Sequence, residues 1–321
     1  MRFFAAATVA LSAAFALTTP QDALGVAAAR RSSVARRLFL EDAKSGKSSF
    51  ELACLVTREA SAARSIGPRA LETMDELSRM TSARLALQSL DPSRSSRAVR
   101  VARAVAATVL DRAEGFEVLR GHADREAHLV DACLATRRAG APLALAVADE
   151  VARRASGGAV RGALVKRGDA IVLLDDETGE RAVLSLRGAG GGAAAAGGGA
   201  AVTDLGREAT NGFAPRRLVA LLLGGIQSSA AACGDLVELV GAADRILALA
   251  EVDGAVTFAE WQLAAVDVAS SCCALDWTER RDEARDLLRA ATREQRRKGE
   301  KPRCASCRAA LLLKNPWFDE A

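Results

Sequence analysis

The stretch PLALAVADEVARRASGGAVRGALVKRGDAIVLLDDETGERAVLSL, Pro142 to Leu186, changes from one periodicity to another and decides the fold class. Its first part, Pro142 to Arg154, is rich in Ala, Leu and Val. Proline stands in the first turn, where its missing N–H costs nothing, and a helix is predicted. Val160 to Val165, Asp169 to Asp175 and Arg181 to Leu186 then read as three short strands. The last two are joined by Asp176-Glu177-Thr178-Gly179, a hairpin turn.

Upstream, the signals are helical. Ser48-Ser49-Phe50-Glu51 forms a capping box, followed by Leu52, Leu55 and Val56 at helical spacing. Gly67-Pro68 opens a second helix with Leu71, Met74 and Leu77. Asp91-Pro92 turns the chain into a third, with Val101, Val105 and Val109, ending at Gly115. A fourth covers about residues 126 to 137. Five helices leading into a small meander make an α+β domain over residues 48–187. Gly46-Lys47-Ser48 has the ending of a P-loop, but Glu41 stands where that motif needs its first Gly, so it is excluded.

Downstream, Gly188 to Ala201 holds almost only Gly and Ala and reads as a flexible linker or loop insertion, bounded at 188–205. No Gly-Lys-Ser follows to cradle a phosphate. Four helices follow, at 215–232, 235–250, 257–274 and 278–297. Gly234-Asp235, Asp253-Gly254 and Asp276-Trp277 separate them. Two stacked antiparallel hairpins over 206–298 would bury one apolar seam, as tetratricopeptide-type repeats do. Like breaks lie about 42 residues apart, more than the usual repeat of about 34. Residues 299–321 form a basic, Cys-containing tail. The chain as a whole is therefore expected to be mostly helical α+β.

The N-terminus reads as an address. Met1-Arg2 precedes an apolar run, Phe3 to Leu17, too short for a membrane span, and small residues around Ala13 and Ala14 suit a signal peptidase. Residues 23–38 are rich in Ala, Ser and Arg and lack acids, which is transit-peptide composition. A signal followed by such a segment resembles the bipartite presequences of algae with secondary plastids, and Phe15 in Ala13-Ala14-Phe15-Ala16 fits the aromatic those carry. Residues 1–40 are thus expected to be a presequence leading to the plastid stroma by the secretory route. A secreted protein, or one of another endomembrane compartment, is the competing address.

Those 40 residues hold five Arg and one Asp, leaving 39 Lys plus Arg against 39 Asp plus Glu. The body is neutral, so the pI of 8.8 gives no argument for nucleic acid. Trp261, Trp277 and Trp317 are too dispersed for a base-stacking platform. No later stretch reaches transmembrane length. Seven cysteines at irregular spacing do not make a disulfide scaffold and suit a reduced compartment.

The segment Arg137-Arg138-Ala139-Gly140-Ala141-Pro142 through Glu150-Val151-Ala152-Arg153-Arg154 resembles the SirB family of transglutaminase-like and tetratricopeptide proteins. That family has a Gly-x-Pro opening a helix that ends in a similar Glu-Val-Ala-Arg. Glu114-Gly115-Phe116 and Arg216-Arg217-Leu218 look like two further family segments, and the resemblance covers about residues 49–297. It implies a transglutaminase-like domain followed by tetratricopeptide-like hairpins. Related enzymes use a Cys-His-Asp constellation, in which a base makes a thiolate nucleophile and an acid orients the base. Carried over by position, this chain has Pro142, Asp169 and Asp175, a degenerate pocket without nucleophile or base. Family members generally lack the nucleophile; the departure at Asp169 is less expected.

Other chemistry is thinner. The chain has only His122 and His128. Cys133, five residues after His128, would point away from it on a helix and reads as a core thiol. Cys304-Ala305-Ser306-Cys307 has metal-ligand spacing, but Cys272-Cys273 is poor geometry for completing a tetrahedral zinc site. Read as a calcium loop, Leu249 to Glu260 puts Glu251, Asp253, Gly254 and Glu260 at ligand or turn positions, with Leu249 where the first carboxylate belongs. The favoured expectation is a non-catalytic protein-interaction or scaffold protein with no cofactor, binding a protein or peptide. The alternatives are a thiol-dependent acyl transferase or peptidase, and a calcium-responsive adaptor resting on Glu251, Asp253 and Glu260.

Overall fold

The computed structural model describes residues 34–45, 47–60, 68–89, 95–111, 115–119, 124–164, 170–186, 200–206, 216–252, 255–298 and 304–318. The stretch up to residue 33 that reads as part of a presequence, His122, Asp169, Asp253, Gly254 and most of the Gly/Ala run lie outside them. The helices are α1 (residues 34–44), α2 (Ser49–Ala60), α3 (Pro68–Ser89), α4 (Arg97–Val109), α5 (Val130–Thr136), α6 (Ala141–Ala155), α7 (Arg217–Cys233), α8 (Leu236–Ala250), α9 (Phe258–Ala274), α10 (Arg281–Lys298) and α11 (Cys304–Leu312). The strands are β1 (Glu117–Leu119), β2 (Arg138–Gly140), β3 (Val160–Leu164), β4 (Ala170–Asp175), β5 (Arg181–Ser185) and β6 (Ala201–Gly206). Helices account for 71% of the described residues, which fixes the class as mostly helical with a small antiparallel sheet.

Helix α6 is the hub. Its sequence is apolar nearly all round, and such a helix must be buried on every side. Accordingly it touches α2, α3, α4, α7, β3 and β4, and Leu143, Leu145, Val147 and Val151 are fully buried. Gly140 caps its start in extended backbone and Pro142 fits the first turn. Chain reversal at Ser156 sends β3 back along the helix, where the Val160 N–H donates to Ser156 Oγ at 3.0 Å.

The sheet runs β3-β4-β5-β6, antiparallel throughout. Strand β4 is central and its AIVL run is buried, the continuous apolar pattern of a strand covered on both faces. Gly179, with φ of 72°, supplies the left-handed residue that the β4–β5 turn requires. Strand β6 comes from residues assigned by sequence to the linker. In chain order the Gly/Ala stretch therefore joins two paired strands of one sheet, β5 and β6.

Helices α7 to α10 fold as an up-and-down series joined by short turns, each packed on the next. Their bounds agree with the four predicted helices within about three residues. Gly234 (φ 72°) ends α7, and Asp235 caps α8 by accepting from the Glu238 N–H. The series rests directly on the first half through α7 against α6 and α2, and a single apolar cluster runs through both halves.

Two end segments also belong to the fold. Helix α1 lies partly within the stretch read as presequence, yet Phe39 is 1% exposed and Ala43 fully buried. The folded part therefore takes in residues 34–40. At the other end α11 packs on α10 and α9, and Phe318 is fully buried. Three local expectations change. Leu71 is half exposed, not a core position. Helix α4 starts at Arg97, capped by Ser96, and ends at Val109, before Gly115. The fourth helix is broken at Leu129, whose φ of −104° and ψ of 130° are extended, into a 3₁₀ turn at Glu126–His128 and α5. No helix among the described residues is long and apolar enough to cross a membrane.

Candidate functional site

The first turn of α6 is where the resemblance puts a nucleophile. Pro142 stands there, and its side chain offers no reactive group. Asp175 is elsewhere. The β3–β4 register sets it opposite Val160, beside the C-terminal end of α6, whereas Pro142 opens the N-terminal end. A 15-residue helix separates the two by roughly 20 Å at about 1.5 Å per residue. The structure thus does not bring Pro142 and Asp175 together. Asp175 Oδ1 instead accepts from the N–H groups of Glu177 (3.0 Å) and Thr178 (3.4 Å). Its Oδ2 lies 3.5 Å from Arg97 Nε. These bonds close the β4–β5 hairpin and assign the carboxylate to turn chemistry.

What stands beside the first turn of α6 is His128. Its ring is 1% exposed and is wedged between Gly140, the α6 cap, and Gly225 in the middle of α7. A Cβ on Gly140 would lie 2.9 Å from Nδ1 and Cε1; one on Gly225 would lie 2.7 Å from Nδ1 and 2.9 Å from Nε2. The ring therefore fills this place and sets the spacing between the two halves. The mid-helix pair Gly224-Gly225 was the available sequence signal, since glycine weakens a helix interior unless a close approach needs it.

The thiols are mostly poor nucleophiles. Cys133 is fully buried, and burial pushes its thiol up. Burial, aided by the charge of Glu150, pushes Cys54 up to about 12. Burial raises Cys272 to about 12, and burial with Asp276 raises Cys273. A thiolate is the reacting species, so each of these shifts lowers reactivity. Cys233 and Cys307 are exposed. Cys304 and Cys307 lie three residues apart on α11, so the pair shares a helix rather than a metal-binding knuckle. Among the described residues no group of three or more His, Cys, Asp or Glu is placed to hold a metal.

Two carboxylates of the calcium-loop reading, Glu260 and Glu251, have arginine partners. Glu260 receives Arg217 on both oxygens, at 2.5 and 2.6 Å, and closes a capping box with Thr257 at the start of α9. Burial opposes its ionisation, but the bonds from Arg217 and Thr257 outweigh this and hold the carboxyl below its ordinary range. Glu251 follows the end of α8 and lies 3.5 Å from Arg36 of α1.

Arg36 belongs to a wider charged seat on the helical series. It donates to Glu283 at 2.6 Å and lies 4.0 Å from Asp244. Asp244 is 1% exposed and receives Arg280 on both oxygens at 2.7 Å. Burial works against the charge of Arg280, but its bonds to Asp244 and Glu283 prevail and keep it protonated. Nearby, the Arg245 guanidinium lies over the Phe39 ring at 6.0 Å. No family model, curated protein or solved structure matches the chain.

Proposed function

We propose that this chain is a non-catalytic protein-interaction or scaffold protein. In this reading the transglutaminase-like half is a filled platform and α7–α10, as tetratricopeptide-like hairpins, present the binding face. One observation carries it. The ground beside the first turn of α6, where a thiol enzyme of this type would hold its nucleophile and substrate, is occupied by the His128 ring, with Pro142 at the nucleophile position. The raised thiols of Cys54, Cys133, Cys272 and Cys273 support the same reading. Action in the plastid stroma, reached by the secretory route, belongs to the proposal and rests on the composition of the residues ahead of α1.

Acyl-adduct capture tests it. The full chain is mixed with simple thioesters and activated amides and followed by intact mass. No covalent acyl adduct is expected within minutes. A stoichiometric adduct on one cysteine, lost when that cysteine is replaced by Ala, would establish acyl-transfer chemistry and overturn the proposal.

A further inference from the structure

We infer that α1 is a displaceable self-ligand of the helical series, and that its seat takes partner helices carrying an arginine three residues before a phenylalanine. The inference deepens the proposed function and rests on its reading that α7–α10 present the binding face.

Helix α1 spans only residues 34–44. Isolated helices shorter than about 12–15 residues are marginal in water, so docking must hold it. Two kinds of contact do so. Phe39 and Ala43, four residues apart on one face, are buried, and Arg245 lies over the Phe39 ring. One turn earlier Arg36 reaches Glu283, Glu251 and Asp244. The seat is built rather than incidental: Asp244 and Arg280 are 1% and 3% exposed and joined by a two-point ion pair. Arg280 serves Asp244 and one oxygen of Glu283, and Arg36 brings a further cation to this carboxylate cluster.

The same geometry makes the contact exchangeable. The Arg36 side chain is 22% exposed, and those of Glu283 and Glu251 are 38% and 48% exposed. Ion pairs so open to water hold weakly, leaving Phe39 as the principal anchor. A helix with the same Arg-x-x-Phe spacing meets the same seat and the same carboxylates, and competes with α1, which keeps the advantage of being tethered. While α1 is seated, the apparent affinity for such a partner falls by the fraction of molecules whose seat is open.

The test uses the full chain and a fluorescent peptide with the sequence of residues 33–46, read by anisotropy. Phe39→Ala in the protein frees the seat and should tighten peptide binding at least about tenfold over wild type. Arg36→Glu, which removes the bond to part-exposed Glu283 and sets a like charge beside Glu251 and Asp244, should tighten it at least about threefold. Adding Glu283→Arg to either variant should reduce the gain, because the peptide's arginine then meets a like charge. If Phe39→Ala does not fold by circular dichroism, Arg36→Glu carries the test. Folded variants that bind the peptide no better than wild type would show that α1 is a fixed part of the core and overturn the inference, leaving the non-catalytic reading untouched. An acyl adduct on a cysteine would do the converse.

Discussion

Gly224 and Gly225 are neighbours on α7, yet replacing each with alanine should move stability in opposite directions. Alanine is favoured over glycine in a helix interior by roughly 0.5–1 kcal/mol. A Cβ on Gly224 meets nothing within 4 Å, so Gly224→Ala should stabilise by about that amount. A Cβ on Gly225 would sit 2.7 Å from His128 Nδ1, when carbon and its neighbours pack comfortably at about 3.5–4.0 Å. The ring would have to retreat by about 1 Å, and Gly140 closes the other side, leaving no room for a side chain there either. Overpacking of this kind costs about 1–3 kcal/mol. After the helix gain is subtracted, Gly225→Ala should lose about 1–2 kcal/mol. Urea titration separates the two: the midpoint should rise for Gly224→Ala and fall for Gly225→Ala, with the slope unchanged. Adding His128→Ala should make Gly225→Ala tolerable, giving a coupling above about 1 kcal/mol in the double-mutant cycle. If Gly225→Ala stabilises as much as Gly224→Ala, His128 is not the wedge between the halves.

Three further outcomes follow from the charged groups. Asp244→Ala leaves the buried Arg280 with only its bond to Glu283 and should cost about 3 kcal/mol, most of it recovered by Arg280→Met in the same chain; urea midpoints check both. Asp149, on α6, accepts the Gly162 N–H at 2.6 Å, and burial, outweighing that bond, raises its carboxyl to about 7. The folded state thus holds this proton more tightly than the unfolded chain, so its contribution is full below about pH 4 and is lost as pH rises through 7. Asp149→Asn should therefore gain on wild type in thermal melts between about pH 4 and 7, and a constant difference across that range would contradict the assignment. Millimolar calcium should shift the wild-type melting temperature by less than about 1 °C, whereas Glu260→Ala, which removes the capping box and the Arg217 pair, should cost about 1–2 kcal/mol.

Much of the fold was legible because its signals are local. The Ser48–Glu51 box, Pro142 and the Asp-Glu-Thr-Gly turn each announce an element within four residues, and α7–α10 declare themselves by apolar spacing between Gly and Asp breaks. Non-local elements were hidden. Strand β6 is a strand because β5 offers it an edge, and the β-branched pair Val202-Thr203 beside a Gly/Ala run was too short a signal to announce it. The parallel pairing of β1 with β2 spans three residues of each strand and depends wholly on tertiary placement. Helix α1 was masked by its arginines, which match transit-peptide composition, although Phe39 and Ala43 share a helical face. At the candidate site the same division holds. Pro142 could be read off as lacking a nucleophile. The distance between Pro142 and Asp175 followed only from the strand register, and the filling of the space by His128 only from the meeting of α6 with α7.

Site-resolved alkylation of the full chain across pH 5 to 10 tests the non-catalytic reading most directly. Cys54, Cys133, Cys272 and Cys273 should alkylate slowly or only on unfolding. The exposed Cys233 and Cys307 should alkylate readily in the folded chain. A cysteine that reacts fast below about pH 7, with a rate that collapses in His128→Ala, would mean an activated thiolate, and the chain would be an enzyme after all.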